Sequence, residues 1–136
     1  MTRDERGQVT AFLAVFVVAL VVVGGLVIDG GSLLAAKRRA ISEAEGAARA
    51  GAQALAPGAL RRGAALPDPT GAAAAADAYL AKTGHQGVVA VEGDTVRVTV
   101  SFHQPMLVLG IGGLASVAVT GEGAARAAQG PEEQTP

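Results

Sequence analysis

The chain has 136 residues, a formal net charge of −1 and no cysteine. Lacking cysteine, it can hold no disulfide, thiolate metal site or cysteine nucleophile. Half of its residues are hydrophobic, yet it has three Phe, one Tyr and no Trp, so few large side chains remain for a core. The basic clusters Lys37-Arg38-Arg39 and Arg61-Arg62 are short, which gives no argument for nucleic acid as a partner.

Residues 1–8 form a polar leader, read as cytoplasmic, with Arg3, Asp4, Glu5 and Arg6. Val9 to Ile28 is apolar except for Thr10 and stops at Asp29. At about 1.5 Å per residue this run spans about 30 Å, the hydrocarbon thickness of a bilayer. Residues 9–28 are therefore predicted to cross a membrane, with the lipid bilayer as their partner. The apolar part of a secretory signal is normally shorter, about 7–15 residues. A retained anchor is expected, with cleavage after Ala36 as the alternative. Asp29 falls at the expected membrane boundary. There its carboxylate either stays hydrated or caps a following helix, or it contacts a partner at the membrane surface.

Residues 29–55 read as a continuation of the helix. Ala, Leu, Arg, Lys and Glu are strong helix formers, and the next proline is Pro57. Gly24-Gly25 and Gly30-Gly31 are candidate bends, and Gly46 and Gly51 weaken the propensity. Leu34, Ile41, Ala48 and Leu55 recur every seven residues, with Ala44 on the same face. That stripe either lies over the chain's own domain or forms a helix-pairing face for another subunit. Two i,i+4 ion pairs are expected, Arg39 with Glu43 and Glu45 with Arg49.

Pro57-Gly58, Gly63 and Pro67-Asp68-Pro69 mark a linker over residues 56–70. A small domain is expected over residues 71–130. Gly71 to Lys82 predicts a helix that stops near Thr83-Gly84. Val88 to Val91 predicts a strand, and Glu92-Gly93-Asp94 a turn. In the next strand Val96, Val98, Val100 and Phe102 face one way, and Thr95, Arg97, Thr99 and Ser101 the other. Pro105 interrupts it. Met106 to Leu114 is apolar and glycine-rich but too short to span a bilayer; it either covers the sheet or dips into lipid headgroups. Ser116 to Thr120 predicts the last strand, and residues 131–136 a disordered tail. The fold class is α+β: a long N-terminal transmembrane helix with a small exported domain of one helix on a short, mostly antiparallel sheet.

The pattern offers no catalytic residue, cofactor site or metal site. His85 and His103 are separated by two strand-like runs and read as structural or solvent-facing, with Asp94 or Glu92 within reach of His103 across a hairpin. No His-Glu-x-x-His, Walker loop or nucleophile elbow occurs. Gly110-Ile111-Gly112-Gly113 does not open a helix in a βαβ unit. Ser32, Ser42, Ser101 and Ser116 lack an identifiable general base, and an unactivated hydroxyl is a weak nucleophile. A non-enzymatic protein is expected.

Arg6-Gly7-Gln8-Val9-Thr10-Ala11-Phe12, Gly25-Leu26-Val27-Ile28-Asp29-Gly30-Gly31 and the Ala-rich stretch from Ala35 to Ala52 resemble the N-terminal segment of TadE/TadG-like Flp-pilus assembly proteins. The resemblance covers roughly Arg6 to Leu55. It implies a single-pass membrane protein with a cytoplasmic N-terminus and an exported C-terminal region. It also implies partners among other pilin-like subunits or the pilus assembly machinery. Lys37-Arg38-Arg39 pull against this orientation, because Lys and Arg favour the cytoplasmic side. Phe12 stands where prepilins of the broader type IV class carry Glu, so the leader is expected to remain uncleaved. The alternative function is a membrane-tethered extracellular binding module using the outer sheet, with Arg97 and His103 as accessible side chains.

Overall fold

A computed structural model describes residues 4–54 and 66–127. Leu55, most of the expected linker, the start of the leader and the tail over residues 131–136 lie outside the described residues. Helix α1 runs over Asp4–Ala52 and helix α2 over Pro69–Thr83. Strands β1 (Gly87–Glu92), β2 (Thr95–Pro105) and β3 (Ser116–Arg126) form one sheet in the order β1-β2-β3. A long apolar N-terminal helix followed by one helix and an antiparallel sheet is the expected α+β arrangement. The chain divides into two compact units: Met1–Leu34 with Gln104–Val117, and Ala35–His103 with Ala118–Pro136.

In the first unit, α1 passes without interruption through Gly24-Gly25 and Gly30-Gly31. Between residues 9 and 28 its large side chains, among them Phe12, Val18 and Val27, are exposed. Phe12 and Phe16 stack one turn apart, with ring centroids 6.2 Å from each other. The helix is long and apolar enough to cross a membrane.

The second unit folds around the last third of α1. There the buried positions are Ala36, Ala40, Ala44, Ala47, Ala48 and Ala52. Ala44, Ala47, Ala48 and Ala52 share one core with Ala72, Ala76 and Leu80 from α2 and Val96, Val98 and Val100 from β2. A fully buried Val or Leu contributes about 1.5–3 kcal/mol, so four large side chains provide most of the hydrophobic stabilisation. The alanines contribute mainly by letting backbones approach. The alternation expected in β2 holds: Val96, Val98 and Val100 are fully buried, while Arg97 and Ser101 are exposed.

Several element boundaries differ from expectation. Helix α1 ends at Ala52 rather than continuing to Leu55, and β1 is one residue longer at each end. Helix α2 begins at Pro69 rather than Gly71, because the Asp68 carboxylate accepts the Gly71 N–H at 2.8 Å and Pro69 occupies the first turn. Proline is preorganised there and its missing N–H costs nothing. Strand β3 continues past Thr120 to Arg126. A Cβ on Gly121 would collide with the backbone of Ala40 and Ile41, and one on Gly123 with that of Ala44 and Glu45. Two strand residues advance about 6.8 Å and four helical residues about 6 Å. The two glycines thus meet successive turns of α1, and residues expected to end the strand instead allow its contact with the helix.

The β1–β2 hairpin pairs in antiparallel register from Gly87 with Val100 to Glu92 with Thr95. Gly93 turns it with φ of 61°, a conformation that suits glycine. This register corrects the expectation for His103. Glu92 and Asp94 sit at the turn, whereas His103 lies three residues beyond the Val100 pairing, where it is exposed.

Candidate functional site

Asp29 follows the last residue of the apolar run. Despite a position expected to be hydrated, it is only 1% exposed. Its carboxylate accepts three consecutive backbone N–H groups, from Leu107 at 2.9 Å, Val108 at 3.0 Å and Leu109 at 2.7 Å. These amides open a short helical turn in the segment between β2 and β3. Ile111, Gly112 and Gly113 N–H groups donate to the carbonyls of Val108, Leu109 and Gly110, and Leu114 N–H donates to Leu109. The first amides of a helical turn have no partner within the turn, and Asp29 supplies one from a distant helix. Asp29 caps no following helix, because α1 continues unbroken through it; its carboxylate instead caps residues about eighty positions away.

The charge suits the place. The Leu109 amide is the strongest influence lowering the Asp29 pKa below the ordinary carboxylate value; desolvation opposes it, and the Leu107 and Val108 amides add to the lowering. One turn earlier on α1, Gly25 makes room for Val108, whose side chain occupies the space a Cβ would need. Met106 N–H donates to the Ala115 carbonyl at 3.0 Å and closes the loop. Three side chains on this loop still face outward: Leu107, Ile111 and Leu114.

The residues of the expected pairing face separate. Leu34 is exposed and Ile41 half-buried, whereas Ala44 and Ala48 are fully buried in the chain's own core. Leu55 lies outside the described residues.

Glu43 pairs with His85 rather than with the expected Arg39. His85 Nδ1 lies 2.7 Å from Glu43 Oε2, and the imidazole stacks on Phe102 at 4.1 Å between ring centroids. That places His85 in a structural role. Glu45 and Arg49 form the expected i,i+4 pair at 3.7 Å. The Lys37 ammonium donates to the Thr120 carbonyl. Near His85 an open depression of about 510 Å³ is bordered by Asp77, Leu80, Ala81, Gly84 and Gln86. No group of three or more His, Cys, Asp or Glu that could hold a metal occurs among the described residues.

A helix whose residues 9–28 are apolar and, apart from Gly25 beneath Val108, uncovered, followed by a small helix-and-sheet domain, defines a membrane-anchored protein. Residues 7–54 match the family described as "Putative Flp pilus-assembly TadE/G-like". The match coincides with α1 almost end to end. No curated protein and no solved structure matches the chain.

Proposed function

We propose that the chain is a non-enzymatic, pilin-like subunit or accessory protein in the assembly or secretion of tight-adherence pili. Residues 9–28 anchor it in the cell membrane, the leader is cytoplasmic, and the small domain lies outside. The observation that carries this reading is α1 itself. One continuous helix leaves large apolar side chains uncovered in its first part and packs its alanines into the core of a small domain in its last. The family match runs along that same helix. Orientation follows from the apolar helix inserting while the short charged leader stays behind, against the pull of Lys37-Arg38-Arg39. The partners are the bilayer and other pilin-like subunits or their assembly machinery. Of the pairing residues, Leu34 and Ile41 remain reachable for such a partner, whereas Ala44 and Ala48 serve the chain's own core.

The test is photo-crosslinking from Leu34 in sealed cells, with external protease added before one half of the sample is resolved. Products joined to a second copy or to another pilin-like protein, and loss of the small domain to protease, are the expected results. Exclusively intramolecular products would defeat the subunit reading. A domain protected on an intact chain would reverse the orientation.

A further inference from the structure

We propose that the Leu107–Leu114 loop is a second membrane element, seated in lipid beside residues 25–29 of α1 and locked there by Asp29. The proposal rests on residues 9–28 spanning the bilayer. Its geometry comes from the first compact unit, which contains both segments.

Val108 packs against Gly25. Gly25 lies four residues, about 6 Å along the helix, before Asp29. Once α1 is in the bilayer, the loop is therefore level with the last turn of the apolar run. It cannot stand off in water. Its composition suits that depth: no Asp, Glu, Lys or Arg occurs between Gln104 and Gly121, and Leu107, Ile111 and Leu114 are 72%, 89% and 49% exposed.

Non-helical backbone at membrane depth must have its polar groups satisfied within the protein. Here Asp29 takes the amides of residues 107–109, carbonyls within the turn take those of residues 111–114, and Ala115 takes that of Met106, so eight of the nine amides from Met106 to Leu114 have an acceptor within the protein. The carboxylate thus sits beneath the loop rather than facing hydrocarbon. Outward Leu and Ile on a closed turn is the pattern of an interfacial anchor. The occupant is lipid rather than a second copy, because the loop is fastened to the very stretch of helix that lipid surrounds.

The absence of cysteine makes single-cysteine labelling clean. Full-length Ile111→Cys, Val18→Cys and Gln86→Cys variants are labelled with the fluorophore NBD and reconstituted in phosphatidylcholine vesicles. Each is then exposed to spin-labelled lipid or to aqueous iodide. The Val18 label should lose emission to spin labels deep in the acyl chains, and the Gln86 label only to iodide. The Ile111 label should emit at shorter wavelength than the Gln86 label, lose emission to spin labels near the headgroups and resist iodide. An Ile111 label that behaves like the Gln86 label overturns the proposal while leaving the anchor standing. Shielding from both quenchers means a protein contact and also overturns it. A Val18 label untouched by spin-labelled lipid removes the anchor, and the proposal with it.

Discussion

The two parts of α1 follow opposite rules. Between residues 9 and 28 the helix leaves Val, Leu, Ile and Phe uncovered; between residues 36 and 52 it buries alanine and glycine. A helix in water does the reverse, hiding large side chains and leaving small or polar ones outside. Lipid accounts for the first part, since an apolar solvent needs no protein cover. Close backbone contact accounts for the second. With so few bulky residues in the chain, the domain gains little from filling volume and much from bringing β3 and α2 near the helix axis. Between residues 36 and 52 the buried small residues mark where protein covers α1, and between residues 9 and 28 the uncovered large ones mark where lipid does.

A glycine exchanged in each part is the strongest way to break that contrast. Gly123→Val places side-chain atoms on the backbone of Ala44 and Glu45, where neither helix nor strand can yield cheaply. Overpacking of this kind costs about 3 kcal/mol. Gly24 has nothing within 4 Å of a Cβ, so Gly24→Val should change stability by less than about 0.5 kcal/mol. Urea unfolding of the detergent-solubilised chain, followed by the signal of the second unit, measures both. Equal losses would mean that close backbone approach does not hold the domain.

Asp29 joins the polar economy of the first unit to its apolar surroundings. Asp29→Ala leaves three amides without an acceptor, a loss of about 2 kcal/mol in local stability. Amide exchange at Leu107, Val108 and Leu109 should then accelerate about 30-fold, while exchange at Val98 stays unchanged. Asp29→Asn keeps one acceptor oxygen and should fall between. The pH dependence has a fixed sign. Because the folded pKa is lowered, the contribution is complete above the ordinary Asp value of about 3.9. It is lost as pH falls through the lowered value. Exchange at those three amides that is indifferent to Asp29 would remove the cap.

Sequence patterning revealed the parts whose causes are local. The apolar run, the Ala-rich helix from Gly71 to its stop at Thr83-Gly84 and the β2 alternation are each written in a short stretch, so these elements could be read directly, whereas the Asp68 cap falls within the expected linker. What escaped depends on distant segments. Nothing near Asp29 points to amides almost eighty residues away, and a boundary aspartate is ordinarily explained by water. Gly121 and Gly123 look like strand breakers until a helix backbone lies against them. Gly46 looks like a weak helical position, yet the Tyr79 ring fills the space of its absent side chain. Glu43 has Arg39 at a good helical spacing, but the stacked imidazole of His85, on the connection between α2 and β1, wins the carboxylate.

That last competition gives the smallest predicted effect. The second unit holds two glutamate pairs on α1, two residues apart in sequence. Glu43 and His85 are mostly buried, with side chains 12% and 25% exposed, and the imidazole is also held against Phe102. Glu45 and Arg49 are 49% and 63% exposed, so water and salt screen their charges and ordering two long side chains offsets most of the gain. A double-mutant cycle with Glu43→Gln and His85→Ala should give a coupling of about 1 kcal/mol. The same cycle with Glu45→Gln and Arg49→Ala should give about 0.3 kcal/mol, shrinking further in 0.5 M salt. If the exposed pair proved the stronger, burial would not be what selects the partner of Glu43, and Arg39 would again be a fair rival for it.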